Sequence, residues 1–209
     1  MGKKAYCILF AALLVSAFVG TSANAQMQKG SEARFAIGAT FASGMLDVND
    51  YITDMYEANG YEIDSFVLPV GLTFVGGYRF GFGMEILGDF GPVSLIMVDD
   101  GSDDVYLNVD VPVGLTVGYA FFTAKPVSPY VRGGFRYHFT GGDFTEDSEP
   151  GIYLAGGVNF FSNKGVQLQL EVAYDGSTVT YRPPEDSGIY YPWEEIEPGG
   201  LLVSIRAAF

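Results

Sequence analysis

Residues Val105 to Phe122 read VYLNVDVPVGLTVGYAFF. The odd positions Val105, Leu107, Val109, Val111, Val113, Leu115, Val117, Tyr119 and Phe121 are all apolar. The even positions are Tyr106, Asn108, Asp110, Pro112, Gly114, Thr116, Gly118, Ala120 and Phe122. A period of two is that of a β-strand, whose successive side chains point to opposite faces. One face of this strand is therefore unbroken oil, and the other carries small and polar groups. A tilted strand needs roughly 9–11 residues to cross a lipid layer, and this stretch is long enough.

The same alternation recurs on both sides. Upstream, Glu32 to Ala42 sets Ala33, Phe35, Ile37, Ala39 and Phe41 against Arg34, Ala36, Gly38, Thr40 and Ala42. Phe66 to Phe80 sets Phe66, Leu68, Val70, Leu72, Phe74, Tyr78 and Phe80 against Thr73, Gly77 and Arg79, and turns near Gly81. Phe82 to about Met97 sets Phe82, Met84, Ile86 and Phe90 against Glu85, Leu87 and Asp89, with Pro92 weakening pairing near its far end. Downstream, Pro129 to Phe139 opposes Val131, Phe135, Tyr137 and Phe139 to Tyr130, Arg132, Arg136 and His138. Ile152 to Phe161 and Val166 to Asp175 follow, joined by a turn at Ser162 to Gly165. The last segment, LLVSIRAAF, puts Leu201, Val203, Ile205, Ala207 and Phe209 on one face and Arg206 on the other. No helix-period pattern is apparent, so the reading is all-β with eight strands.

The connections alternate in length and charge. Residues 45–65, 99–104, 140–151 and 176–199 read as acidic loops, mostly long; the turns near 81, 123–128 and 162–165 are short, with Arg79, Lys125 and Lys164 close by. Acids avoid every apolar face: Glu85, Asp89, Asp110 and Glu171 fall on inward positions and Glu32 at a strand start. Lipid offers no partner to an open strand edge, so the strands must close into a barrel. The expected fold is an eight-stranded antiparallel up-and-down transmembrane β-barrel, with long acidic outer loops at one end and short periplasmic turns at the other.

Composition places the barrel in a compartment. Met1 to Lys4 is basic, Ala5 to Gly20 apolar, and Ala23-Asn24-Ala25 an A-x-A site, which reads as a secretory signal peptide over 1–25 and a barrel over 26–209. Cys7, the sole cysteine, falls in that leader, leaving the mature chain without disulfide or thiolate chemistry. The formal charge of −14 becomes −16 once Lys3 and Lys4 are removed, which argues against nucleic acid as a partner. With 48% hydrophobic residues the chain is both oily and acidic, and the two properties are segregated.

With its leader, alternating segments, the GGYRF and PYVRGGFRY phrases at strand ends and the terminal phenylalanine, Gln26 to Phe209 resembles the small eight-stranded outer-membrane β-barrels of Gram-negative bacteria, the OmpX-like and OmpA-barrel-like group. The resemblance implies residence in the outer membrane with periplasmic termini and extracellular acidic loops. It also implies contact with lipid and lipopolysaccharide, and insertion by the barrel-assembly machinery, which reads the aromatic strand ending in Phe209.

Candidate chemistry lies in two places. The inward set Arg34, Arg79, Glu85, Asp89, Asp110, Arg132, Arg136, His138, Glu171 and Arg206 reads as a salt-bridged lumen network, because an eight-stranded lumen is just wide enough for side chains. A narrow ion path would use the same residues. His138, the sole histidine, is compared with the catalytic base of lipid A deacylases resembling PagL; it shares the inward register of Arg132 and Arg136, whereas a base acting on lipid should face the bilayer. The second place is the loops. The DDGSDD stretch lacks the spacing of a calcium loop, although an acidic rim could share divalent cations with lipopolysaccharide phosphates. Tyr51, Tyr56, Tyr61, Tyr190, Tyr191 and Trp193 make 45–65 and 176–199 aromatic, suited to an extracellular partner.

The expected role is structural or adhesive, with no catalytic residue, cofactor or metal. A small-solute or ion pore is the alternative, and a lipid A modifying enzyme the remote one. A soluble sandwich would need a second sheet over the outward Leu, Val and Phe rows.

Overall fold

The computed structural model describes residues 31–61, 64–99, 105–162, 165–185 and 187–209. The leader expected over 1–25, residues 100–104 of the DDGSDD stretch, and Lys164 lie outside them. Among the described residues no helix is long and apolar enough to cross a membrane.

The alternating segments become strands β1 (Glu32–Ala42), β2 (Asp64–Val67), β3 (Val70–Arg79), β4 (Met84–Phe90), β5 (Ser94–Asp99), β6 (Val105–Ala120) and β7 (Val127–Gly142). The chain continues through β8 (Thr145–Glu149), β9 (Gly151–Phe160), β10 (Gln167–Asp175), β11 (Thr178–Tyr181), β12 (Glu194–Ile196) and β13 (Gly200–Ala208). Strands β6-β4-β3-β1-β13-β10-β9-β7 pair in that order, and β7 pairs back onto β6, closing an antiparallel eight-strand barrel. The seam joins first and last strands, from Ala36 opposite Ala208 to Ala42 opposite Leu202. Closure leaves no barrel edge without a hydrogen-bonding partner.

The pleat sends each side chain where its parity requires. Leu72, Leu115, Phe135, Leu154, Val172 and Ile205 are exposed on the outer face, while Thr73, Thr116, Arg132, Tyr153, Glu171 and Arg206 are buried inside. One strand changes parity. Phe90 opposes Val113, yet Ser94 opposes Asp110, so three residues of one strand face two of the other. Gly91 takes a φ of 98° there, and Pro92 has no N–H to give the ladder. The extra residue turns Ser94, Ile96 and Val98 inward, where the uninterrupted alternation of Phe82 to Met97 would have turned their neighbours.

Three acidic connections differ from the expected loops. In 45–65 the chain forms helix α1, Gly44–Ala58, whose buried face of Met45, Val48, Tyr51, Ile52, Met55 and Tyr56 recurs at steps of three and four residues. This face is a helical period where none was expected, disguised by the acids between its apolar positions. Gly44 opens the helix because a Cβ there would lie 1.8 Å from the Glu197 carbonyl oxygen. In 140–151, β7 runs on to Gly142 and β8 follows. In 176–199, β11 and β12 form, giving a second sheet ordered β12-β11-β8. That order repeats β13-β10-β9 below it, so the small sheet is the barrel wall continued and bent at Pro150, Gly176-Ser177 and Pro198-Gly199.

At the opposite end Phe122 leaves the inward register expected of it. It has a φ of 56°, is 63% exposed and lies under the Lys125 ammonium, 4.7 Å from the ring centre. Reversal of the chain direction takes precedence over the pleat at that position.

Candidate functional site

The interior is built in tiers. Nearest the turn end, Arg79 Nε donates to Glu85 at 2.6 Å, and Arg79 and Arg34 share Glu32 at 3.1 and 3.3 Å. Arg34 also donates to Gln167 Oε1 at 2.9 Å. The space between Arg34, Glu85 and Gln169 is about 10 Å³, room for one water at most.

The middle tier centres on Glu171. Its carboxylate accepts from Tyr130 Oη (2.9 Å), Arg132 Nη2 (2.6 Å), Tyr153 Oη (2.9 Å) and Arg206 Nη2 (2.9 Å). These donors come from β7, β9 and β13, so one carboxylate ties three strands to its own β10. Arg132 and Arg136 flank the Tyr153 ring, 5.5 and 4.2 Å from its centre.

The upper tier joins Arg136 to Asp89 and to Asp175, the latter at 3.1 Å. His138 Nδ1 lies 2.8 Å from Asp110, and Nε2 lies 3.3 Å from Asp175. Asp175 further accepts from the Ser177 amide (3.1 Å) and hydroxyl (2.5 Å). His138 is 1% exposed, with both ring nitrogens against carboxylates; its inward strand position directs it away from the apolar outer face.

Every residue of the expected inward set is therefore buried, and all ten enter these three tiers. The sequence reading missed the polar residues that complete them. Asp175, counted with the fourth acidic connection, is fully buried and links His138 to Arg136. Tyr130, Tyr153, Gln167 and Gln169 join as well. All four stand at inward positions of their alternating segments, Tyr153 between the outward Ile152 and Leu154, but the expected network held only charged residues and the lone histidine. No group of three or more His, Cys, Asp or Glu suited to a metal occurs among the described residues.

Above the ion pairs lies a hydrophobic roof. Met45, Val48, Ile52 and Met55 of α1 pack in one cluster with Ile96, Val98, Phe144, Tyr153, Val179, Tyr181, Ile196 and Leu202. The Tyr51 hydroxyl donates to the carbonyls of Tyr181 (3.2 Å) and Pro192 (3.0 Å), fixing the helix to the segment that follows β11. Burial, with the Asp110 charge adding to it, pushes the Tyr181 phenol well above its ordinary range. Tyr51 is pushed up by burial and then by Glu194.

The outward side of this roof is acidic and aromatic. Asp47, Asp50, Asp54 and Glu57 are exposed on α1, and Glu194 and Glu195 on β12. Tyr190, Trp193 and Tyr61 are exposed beside them.

A family model described as the outer membrane protein beta-barrel domain matches residues 10–205. Comparison with curated proteins finds no match. Among solved structures, the outer membrane protein OprG of Pseudomonas aeruginosa is similar, with 14% identity, a TM-score of 0.51, and coverage of 88% of this chain and 98% of that one. The outer membrane protein AlkL, solved in DMPC lipid bilayers, shows 15% identity over 89% of this chain and 93% of its own, with a TM-score of 0.49. Ail of Yersinia pestis, solved with the heparin analogue sucrose octasulfate, shows 13% identity over 87% and 100%, with a TM-score of 0.46. At such identities the OprG likeness speaks to fold alone.

Proposed function

Because this chain belongs to the outer membrane protein beta-barrel domain family of Gram-negative outer membranes, we propose that it is a non-enzymatic surface protein presenting a rigid acidic and aromatic crown to extracellular partners. In this reading the termini and short turns face the periplasm. The crown built from 45–65, 140–151 and 176–199 faces outside. The exposed apolar belt contacts outer-membrane lipid and lipopolysaccharide, and Phe209 is the residue the barrel-assembly machinery reads.

The observation that carries the reading is the double closure of the lumen. Paired guanidinium and carboxylate groups fill its length, and the α1 cluster covers its upper mouth. A conduit would require both layers to part, and each buried charge would lose its partner at a cost of several kcal/mol. The position of His138 between Asp110 and Asp175 also supports a non-enzymatic role, because neither ring nitrogen is free to meet a substrate.

Two measurements test this. Purified protein in planar bilayers should produce no discrete conductance steps; regular steps would overturn the reading in favour of a pore. In a Cys7→Ser background, Asp147→Cys on β8 should react with an impermeant thiol reagent on intact cells. Reaction only after the outer membrane is breached would place the crown in the periplasm and overturn the orientation.

A further inference from the structure

The crown holds its aromatic rings outward from a backbone that is itself tied down. Asn59, just past the end of α1, donates to the Tyr190 carbonyl and accepts from the Tyr190 amide, both at 3.3 Å. Two residues on, the Pro192 carbonyl accepts from Tyr51. Ile189, just before the first tie, is buried, while Tyr190 is 95% exposed and Trp193 63% exposed. Large rings held in water on a fixed backbone form a pre-organised contact surface, with little ordering left to do on binding.

The charge around those rings has one sign. Asp54 and Glu57 are exposed five and two residues before Asn59, and Glu194 and Glu195 follow directly on Trp193. Across residues 43–65, 99–104, 140–151 and 176–199 the sole basic residue is Arg182. Arg182 is committed to Glu146 at 2.6 Å and Glu185 at 3.0 Å. The crown therefore has no cation of its own to neutralise the acids beside Tyr190 and Trp193. A sulfated glycan or an anionic lipid surface would be repelled by this field. A guanidinium or ammonium group is attracted by the field at long range and by the ring faces on contact.

From the exposed rings and their one-signed surroundings, we infer that the face formed by Tyr190, Trp193, Asp54, Glu57, Glu194 and Glu195 docks a cationic polypeptide segment bearing several Arg or Lys side chains. The inference rests on the surface-protein reading and names the chemistry of the partner. Tyr190 and Trp193 take the cationic heads on their ring faces, and the four carboxylates take the remaining positive charge.

Trp193 is the chain's sole tryptophan, so its fluorescence reports directly on this face. The test uses the full mature protein in phosphatidylcholine nanodiscs, titrated with deca-arginine, deca-glutamate and a heparin fragment. Deca-arginine should shift Trp193 emission saturably and shield it from acrylamide, with affinity falling about tenfold or more between about 50 and 300 mM salt. Deca-glutamate and heparin should leave the emission unchanged. Tyr190→Ala with Glu57→Gln should weaken deca-arginine at least about fivefold, whereas Asp147→Asn with Glu149→Gln, on β8 at the opposite edge of the small sheet, should keep it within about twofold.

The inference is overturned by absence of binding, by equal weakening in the two double variants, or by binding of heparin in place of deca-arginine. Nanodiscs expose both ends of the barrel, so the result does not depend on orientation. A crown labelled on intact cells that ignores deca-arginine sinks the partner class alone, and a crown labelled only from the periplasm sinks the surface reading.

Discussion

Arg136 of β7 and Asp175 at the end of β10 meet at 3.1 Å inside the barrel, at the level where the ion pairs give way to the hydrophobic roof. Asp175 also receives His138, the Ser177 amide and the Ser177 hydroxyl. One carboxylate thus orients a guanidinium and an imidazole from β7 and the start of the bend into β11. Removing one partner from such a buried pair costs more than the pair contributes, because the remaining charge is left without compensation.

Asp175→Ala should therefore destabilise the folded barrel by about 3–5 kcal/mol. Asp147→Ala, in the exposed part of β8, should change stability by no more than about 0.5 kcal/mol. Urea-induced unfolding in detergent, followed by the mobility difference between heated and unheated protein on gels, compares the two. Similar midpoints would refute the role assigned to Asp175.

The roof should loosen separately from the wall. Ile52→Ala with Met55→Ala removes fully buried side chains from the α1 cluster, each worth about 2–5 kcal/mol. The expected outcome is rapid proteolysis within 45–65 and 176–199 together with unchanged heat-modifiable mobility of the barrel. If the barrel unfolds along with the crown, the two layers form a single cooperative unit.

Alkaline pH should attack the roof first. The Tyr181 and Tyr51 phenols are raised by burial, so the folded crown keeps protons that an opened crown releases above about pH 10. The contribution of these two phenols is constant below that pH and falls above it, by up to about 1.4 kcal/mol per pH unit for each phenol. Tyrosine ionisation at 295 nm should show late-titrating phenols in the wild type. In Tyr181→Phe the slope of crown stability, read from Trp193 emission, should become shallower.

Removing the terminal aromatic should affect assembly more than the finished barrel. The Phe209 amide donates to the Phe35 carbonyl at 2.7 Å, its carbonyl accepts from the Phe35 amide at 3.3 Å, and the two rings lie 6.5 Å apart. This is one rung at the end of the closing seam. Deleting Phe209 should shift the urea midpoint by an amount worth about 1–2 kcal/mol, while the yield of membrane-inserted protein in cells falls severalfold. Equal losses in both measurements would leave no special place for the ring in assembly.

Much of the barrel was legible because lipid and lumen impose opposite demands on alternate residues. Val117 and Thr116 differ by one position, and that position decides which solvent each meets. The inward arginines were legible for the same reason, since a charge on the outer face of a membrane strand is costly. The α1 helix was not, although Met45, Val48, Ile52 and Met55 have helical spacing. The acids placed among them satisfied the expectation of a polar loop, and that short apolar row becomes informative only once a surface exists for it to cover.

Alternation along one strand is a local property, set by backbone pleating and the polarity on either side, so the eight barrel strands, their closure and the facing of most of their residues follow from the amino-acid order, whereas the facing beyond Gly91 and Pro92 does not. Which carboxylate meets which guanidinium is a different kind of property. Glu171 and Arg132 are separated by 39 residues, Arg136 and Asp175 likewise, and their meeting depends on register, on the extra residue at Gly91 and Pro92, and on the bend of β9, β10 and β13 over the mouth. Val105 to Phe122 therefore announced a barrel wall unaided, whereas the filled interior, the α1 roof and the outward Tyr190 and Trp193 arose from packing between segments distant in the chain.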